Sequence, residues 1–156
     1  KMIYTKKNGE TSTYRLRPYG FLYGQRNHYL VAKHSDGYDH GRAHNYTLTG
    51  IQAVEELSEP YEEDDFSLEQ YAKDSFGTWQ EEPFDVEWLF DAVAAPEAKH
   101  FIFHPTQQMT ENPDGTLTVK FRAGGSLEMD WHLYTWGKHV KVIQPKDFNK
   151  RKVWKN

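Results

Sequence analysis

The chain has 156 residues, enough for one domain or two very small ones, and its 15% of aromatic residues can form a packed core despite a polar composition. Cysteine is absent, so disulfides and thiolate metal sites are excluded. The sequence contains no apolar run of about eighteen residues and no signal segment, so we expect a cytoplasmic protein that does not enter a membrane.

The net charge of −4 is distributed unevenly along the chain. Residues 1–50 hold eight Lys or Arg against three acids, residues 51–91 hold one against fourteen, and residues 92–156 hold ten against six. Two basic regions therefore flank an acidic middle. Because phosphate responds to the local charge of a surface, a basic face is compatible with the acidic total.

Residues 1–57 indicate a run of short strands with no helix between them. An Asn-Gly turn within residues 7–10 is typical of a hairpin, and residues 24–27 connect a second predicted pair of strands. Residues 46–54 are predicted as a further strand with Gly50 as a bulge. Several strands at this spacing predict a small antiparallel barrel.

The acidic stretch 58–84 carries Pro60 and Pro83 and is predicted to be a linker. Residues 67–72 are predicted to form a short helix, with Ser67 as its N-terminal cap. The alternative is that the acidic stretch is only a solvated connector, which its charges alone would also indicate. Four apolar residues are predicted to hold the linker against one of the lobes, namely Phe66, Leu68, Tyr71 and Phe76.

Residues 85–145 combine strand and helix patterns and are predicted to form an α+β unit. An Asn-Pro-Asp-Gly turn occupies residues 112–115, and residues 127–134 are predicted as a strand because apolar and polar side chains alternate there. The remaining predictions are strands at 86–90, 116–123 and 139–143, a helix over 91–100 with Pro96 in its first turn, and a basic tail at 146–156.

Residues 15–23 (Arg-Leu-Arg-Pro-Tyr-Gly-Phe-Leu-Tyr) and 28–32 resemble the WYL domain of bacterial transcription regulators. That family is named for a Trp-Tyr-Leu triplet, which here is His-Tyr-Leu at residues 28–30. The family's next strand carries two arginines and an acid. Their places are taken here by Thr47, Gly50 and Thr49.

The second unit resembles the WCX extension that commonly follows a WYL domain. That extension has an Asp-Gly turn, a Trp shortly before a Trp-Gly pair, and a closing strand that ends in Pro. The same layout is present here at Asp114-Gly115, Trp131, Trp136-Gly137, residues 140–143 and Pro145.

The resemblance implies a mostly β and α+β fold, with an Sm-like antiparallel β-barrel at 1–57, the linker, and a ferredoxin-like extension at 85–145. It implies a bacterial regulator that forms a homodimer, senses a nucleotide or single-stranded DNA, and reads duplex DNA through an N-terminal winged helix-turn-helix. The chain opens on Lys1 and enters a predicted strand almost at once, so we expect a fragment that lacks this domain. No cofactor is implied.

A basic and aromatic strand face is the main candidate for a binding site. In an extended segment Arg15, Arg17 and Tyr19 point one way, and Tyr29 and Lys33 share a face of the next hairpin strand. Arginine can bind phosphate through two hydrogen bonds, and aromatic rings stack on bases. The alternative is a solvated barrel face whose arginines extend into water.

Four of the eight histidines, His28, His34, His40 and His44, lie within seventeen residues. His40 and His44 have the spacing of helical metal ligands, but the neighbouring glycines disfavour a helix, so no metal site is predicted. We expect His28 to stack like the Trp it replaces, and Arg42 to supply the charge missing at residues 47 and 50. The complete predicted site is Arg15, Arg17, Tyr19, His28, Tyr29, Lys33, Arg42 and His44.

Two other functions are alternatives to effector sensing. Glu128, Asp130 and His132 would share one face of the predicted strand 127–134, a pattern that acid/base catalysis can use. No nucleophile elbow, phosphate loop or zinc-protease motif accompanies them, and polar residues normally alternate on the wet side of a strand, so we predict no catalytic residue. The second alternative is a pure module for dimerisation or protein interaction that binds no small ligand.

Overall fold

The computed structural model describes residues 1–24, 26–60 and 64–148, and the chain divides into two compact units, Lys1–Lys73 and Asp74–Asn156. The division lies inside the predicted linker, so residues 64–73 belong to the first unit. Most of the predicted basic tail, residues 149–156, lies outside the described residues. Within the described part of the chain, no helix has the length and apolar character needed to cross a membrane.

The first unit is built from two antiparallel sheets of three strands each. Both predicted hairpins are confirmed. The Gly9 amide donates to the Lys6 carbonyl oxygen over 2.9 Å, and the Gly24 amide donates to the Asn27 carbonyl oxygen over 3.0 Å. The sheets have the orders β2-β1-β6 and β3-β4-β5, from β1 (Met2–Thr5), β2 (Thr11–Tyr14), β3 (Leu16–Tyr23), β4 (His28–His34), β5 (Ala43–Thr47) and β6 (Ile51–Val54).

One aromatic core lies between the two sheets. Met2 of β1, Ala32 of β4 and Tyr46 of β5 are buried in the same cluster. The Tyr46 ring lies 5.3 Å from the Tyr4 ring and 5.7 Å from the Tyr14 ring. Because each sheet contributes one face to this core, the first unit has the small antiparallel β architecture expected from the sequence.

The predicted strand 46–54 is interrupted. β5 ends at Thr47, a short 3-10 turn follows at Leu48–Gly50, and β6 begins at Ile51. A Cβ atom at Gly50 would lie 2.5 Å from the Tyr4 ring and 2.8 Å from the Thr5 carbonyl oxygen. The chain can turn this close to β1 only because residue 50 has no side chain, so the prediction of a continuous strand with a bulge was wrong.

The short helix in the predicted linker is present as α1 (Leu68–Lys73). The Gln70 amide donates to the Ser67 side-chain oxygen over 3.2 Å, which confirms Ser67 as the cap. This hydrogen bond satisfies one amide that the first helical turn would otherwise leave without a partner.

The second unit has the order of elements β-α-β-β-α-β that defines a ferredoxin-like fold. Its sheet is antiparallel with the order β10-β7-β9-β8, so the first and third strands lie in the middle. The fold class expected from the sequence is therefore confirmed. The elements are β7 (Phe84–Phe90), α2 (Ala95–Ala98), β8 (Gln108–Glu111), β9 (Leu117–Ala123), α3 (Ser126–Trp136) and β10 (Val140–Gln144).

Apolar side chains at alternate positions of the two central strands, β7 and β9, form much of the core of the second unit. Leu117, Val119 and Phe121 are buried on one face of β9, as predicted, while Lys120 and Arg122 are exposed on the other. On β7, the same period buries three side chains, Val86, Trp88 and Phe90. Helix α2 is shorter than predicted, because the preceding residues 92–94 form a turn.

The predicted strand 127–134 is wrong, because these residues belong to helix α3. Met129 and Leu133, four residues apart, are the buried pair, as helical periodicity requires. The Glu81 carboxylate accepts hydrogen bonds from the Gly125 and Ser126 amides and so caps the start of the helix. The apolar residues of this segment satisfy a period of two almost as well as a helical period, which explains the error.

Replacement of Glu128 by Ala should lower the free energy of unfolding of the second unit by about 1.5–3 kcal/mol, because three hydrogen bonds lose their acceptor. The carboxylate of Glu128 accepts from the Thr78 amide, the Thr78 hydroxyl and the Trp79 amide, at 2.7 to 3.0 Å. The first unit contains no tryptophan, so urea unfolding followed by tryptophan fluorescence does not detect it and measures the second unit.

The matched control is Asp130→Ala. A helix turns residues 128 and 130 to opposite sides, so this change should cost less than about 0.5 kcal/mol. Equal losses from both variants would contradict the helix, because only a strand would give the two carboxylates the same surroundings.

Candidate functional site

The sheet β3-β4-β5 turns one face to the core and the opposite face away from it. Ala32 and Tyr46 mark the core face. On the opposite face Arg17 of β3 is paired directly with Lys33 of β4. We call this the outer face, and its central side chains are Arg17, Tyr29, Val31, Lys33 and Asn45.

Helix α1 packs on the outer face. A Cβ atom at Gly20 would lie 2.7 Å from the Leu68 side chain, so glycine at this position allows the helix to approach closely. The Tyr71 hydroxyl donates to the Asn45 side-chain oxygen over 3.1 Å. Leu68 and Tyr71 therefore hold the linker against the first unit, as predicted, and Val31 is fully buried on this same face.

An anion-binding arrangement lies beside α1. The Tyr19 hydroxyl donates to Asp64 Oδ2 over 2.6 Å, and Lys33 Nζ donates to the same oxygen over 2.9 Å. The Tyr19 ring lies 4.3 Å from the Phe66 ring, and Lys33 Nζ lies 4.8 Å from the centre of the Phe66 ring. A carboxylate is thus held by a hydroxyl and an ammonium group next to an aromatic surface.

A register shift in β3 lies at Tyr19. Pro18 is paired with Ala32 and Gly20 with Val31, so Tyr19 is an extra residue between two pairs of the ladder. Tyr19 and Lys33 contact the same carboxylate, so Tyr19 lies on the side of Arg17, two residues before it. The bulge changes the alternation after Tyr19 and places Gly20 opposite Val31 on the outer face.

Hydrogen bonds from Tyr19 and then from Lys33 lower the pKa of the Asp64 carboxyl group from 3.8 to about 2. Both donors interact more favourably with the ionised carboxylate than with the protonated acid. The side chain of Lys33 is only 19% exposed, so its charge is partly withdrawn from water and its attraction for an anion is screened less than at an open surface.

Two further predicted cations lie nearer the edge of this region. Arg15, between β2 and β3, forms an ion pair with Glu59, and both side chains are more than half exposed. Arg42 is exposed and directly precedes β5. Its positive charge opposes the effect of burial, which raises the pKa of the Tyr71 hydroxyl on the outer face.

The predicted histidines lie apart from the outer face. His44 is paired with Ala32 and therefore points to the core side of the sheet, where its ring lies 5.4 Å from the His34 ring. Burial lowers the pKa of His44, and Asp39, whose Oδ2 lies 3.1 Å from His44 Nε2, partly opposes this. His28 is exposed at the end of the β3-β4 hairpin, with its ring 5.0 Å from that of Tyr23.

Glu128 and His132, two of the three acid/base candidates, have structural contacts. Glu128 binds the loop at Thr78 and Trp79. The His132 ring lies 5.6 Å from the Phe76 ring, and burial lowers its pKa. Among the described residues, no group of three or more His, Asp or Glu is positioned to hold a metal ion.

Residues 82–151 match the family of WCX domains, and this range holds all four strands of the ferredoxin-like sheet. The second unit is therefore a WCX domain, and the resemblance to WYL/WCX regulators is confirmed for this part of the chain.

One solved structure similar to this chain is proteasome accessory factor B/C (PafBC) of Arthrobacter aurescens, with 16% sequence identity and a TM-score of 0.37. The similarity covers 96% of this chain and 22% of that chain, so the present chain spans less than a quarter of it. No curated protein matches the sequence.

Four of the eight predicted residues, Arg17, Tyr19, Tyr29 and Lys33, lie on β3 and β4 at the outer face, and Tyr19 and Lys33 meet at the Asp64 carboxylate. Sequence reasoning missed Asp64 and the role of Phe66 beside Tyr19. The signal for Phe66 was its place among the apolar linker residues. Asp64 offered no such signal, because it is one of many neighbouring acids.

Removing the Tyr19 hydroxyl or the Lys33 ammonium group should raise the pKa of Asp64 from about 2 towards its ordinary value of 3.8. In the unmodified protein the stabilising contact is complete above pH 3.8 and is lost as the pH falls through about 2, because protonation then neutralises the carboxylate. NMR titration of the side-chain carboxyl carbon in Tyr19→Phe and Lys33→Met measures the shift. The adjacent Asp65 is the internal control, and an Asp64 pKa unchanged in both variants would contradict this geometry.

Proposed function

We propose that this region of the regulator senses a phosphate-bearing effector, either a nucleotide or a short single-stranded DNA, on the outer face of β3-β4-β5. The observation that carries the proposal is the binding of the Asp64 carboxylate by the Tyr19 hydroxyl and Lys33 Nζ beside the Tyr19 ring. Two donors that converge on one anionic oxygen are equally suited to a phosphate oxygen.

Neighbouring cations support a ligand with more than one negative charge. Arg17 is paired with Lys33 across the two strands, and Arg15 lies a short distance along the chain towards β2. A ligand with successive phosphates can contact several cations at once, and each contact releases a counterion. We assign Arg17, Tyr19, Tyr29 and Lys33 to the centre of the site and Arg15 and Arg42 to its edge.

Aromatic side chains supply the second element that a nucleotide needs. Tyr29 lies on the outer face of β4, and Tyr19 is part of the anion site. Stacking of a base on such a ring contributes about 1–3 kcal/mol. His28, at the exposed end of the hairpin, and His44, on the core side of the sheet, are left out of the central contacts.

Regulation follows if the effector favours one of two states of a homodimer. An effector can shift an equilibrium only by the difference between its affinities for the two states. We propose that this shift is passed to a separate domain of the regulator that reads duplex DNA, in the bacterial cytoplasm. No cofactor and no catalytic step are part of the proposal.

A second candidate function is a dimerisation or protein-interaction module without a small ligand. It is favoured by two large side chains near the end of β3, because Phe21 is 51% exposed and Tyr23 is 74% exposed. Exposed aromatic residues are common anchors of protein interfaces. In this case Tyr23→Ser would weaken self-association in analytical ultracentrifugation, and the regulator would bind neither nucleotides nor single-stranded DNA.

The test of effector sensing is binding of an oligothymidylate of about ten nucleotides, a length within the range of single-strand binding sites, over a series of salt concentrations. Affinity should fall steeply with salt. Arg17→Ala and Lys33→Ala should each reduce the slope of log affinity against log salt by about 0.7 and weaken binding severalfold. Cyclic and linear nucleotides are compared in the same assay.

Arg15→Ala and Arg122→Ala form a matched pair in that assay. Both arginines are more than half exposed and both are paired with an acid, Arg15 with Glu59 and Arg122 with Asp85 of the WCX domain. Only Arg15→Ala should weaken binding. Equal effects of the two variants would indicate nonspecific attraction, and the absence of any binding at low salt would favour the interaction module.

A further inference from the structure

Among the described residues, two carboxylates of the acidic linker pair with cations of the first unit. Glu59 is paired with Arg15, and Asp64 binds Lys33 over 2.9 Å, while Glu55, just before the linker, is paired with Lys1 over 2.8 Å. Two of these cations, Arg15 and Lys33, belong to the proposed effector site. We call the contacting residues Glu59, Asp64 and Phe66 the acidic strap.

The strap resembles the proposed ligand in its chemistry. Asp64 presents an anionic oxygen to Tyr19 and Lys33, and Phe66 presents an aromatic ring to Tyr19 at 4.3 Å. An anion followed closely by a flat ring is also the arrangement of a nucleotide. The strap and such a ligand would therefore need the same donors, and the two cannot bind them together.

Helix α1 keeps the strap close to this site. Leu68 packs at Gly20, and the Tyr71 hydroxyl binds Asn45, so the chain is anchored on the outer face immediately after Phe66. A tethered group competes at a high effective concentration even when its own contacts are weak. The contacts themselves are of the weak kind, since partly exposed ion pairs contribute little to stability and can be exchanged.

We propose that the acidic strap is an intramolecular competitor that occupies the effector site and that an effector must displace Asp64 from Lys33 and Tyr19 to bind. This inference rests on the proposed function. Competition by the strap sets a minimum number of phosphates for binding. A single phosphate replaces only one strap carboxylate, whereas a ligand with several phosphates replaces both Asp64 and Glu59. The site therefore selects polyanions over monoanions.

The experiment compares the intact chain with the double variant Glu59→Gln/Asp64→Asn, using the oligothymidylate and inorganic phosphate as probes. The control is Glu56→Gln/Asp65→Asn, which removes two charges from exposed positions close to the strap in sequence. The strap variant should bind the oligothymidylate about three- to tenfold more tightly than the control, because the Glu59 and Asp64 carboxylates no longer compete for Arg15 and Lys33. Inorganic phosphate should bind detectably only to the strap variant.

A second variant, Phe66→Leu, keeps an apolar side chain but removes the aromatic contact with Tyr19, and it too should raise affinity. Equal affinities of the intact chain, the strap variant and the control would overturn the proposal that the strap competes, while leaving the proposed function in place. Equal gains in the strap variant and the control would also overturn it, because total charge would then explain the effect. Absence of binding in every variant would overturn the competitor and the proposed effector together.

Discussion

One oxygen of the Asp64 carboxylate accepts hydrogen bonds from Tyr19 and Lys33, and several features of the first unit bring these three residues together. The register of β3 with β4 aligns Arg17 beside Lys33, and Tyr19 follows Arg17 by two residues on the same strand. The close approach of α1 at Gly20 then brings the linker over the same sheet. The outer face is therefore produced by backbone geometry as much as by the choice of charged residues.

The distribution of charge gives this contact its physical basis. A basic first lobe is followed by a strongly acidic linker, so the two attract each other within one unit and the chain as a whole has an acidic pI of about 6.1. The total charge therefore hides the basic face. Because surface ion pairs are weak and exchangeable, a stretch of acids can cover such a face without closing it permanently. An acidic protein can in this way retain a site for phosphate.

Local signals in the sequence predicted much of the fold. The Asn-Gly turn at Gly9, the cap at Ser67 and the alternation through Val119 each depend on a few adjacent residues, and each was predicted correctly. Helix α3 was missed because its apolar residues fit both periods and the carboxylate that caps it, Glu81, lies 44 residues away from Gly125. The contact of Tyr19 with Asp64 spans 45 residues, and no local pattern distinguishes that acid from its neighbours.

Amide hydrogen exchange measured residue by residue, with and without saturating oligothymidylate, tests displacement of the linker from the outer face most directly. The Phe66 amide donates to the Asp64 carboxylate over 3.1 Å, and the Tyr71 amide donates to the Ser67 carbonyl oxygen over 2.9 Å within α1. Binding should accelerate exchange at Phe66 severalfold and leave Tyr71 unchanged, because the strap leaves while the helix stays anchored. Unchanged or slower exchange at the Phe66 amide in the bound protein would contradict displacement of the strap by the effector.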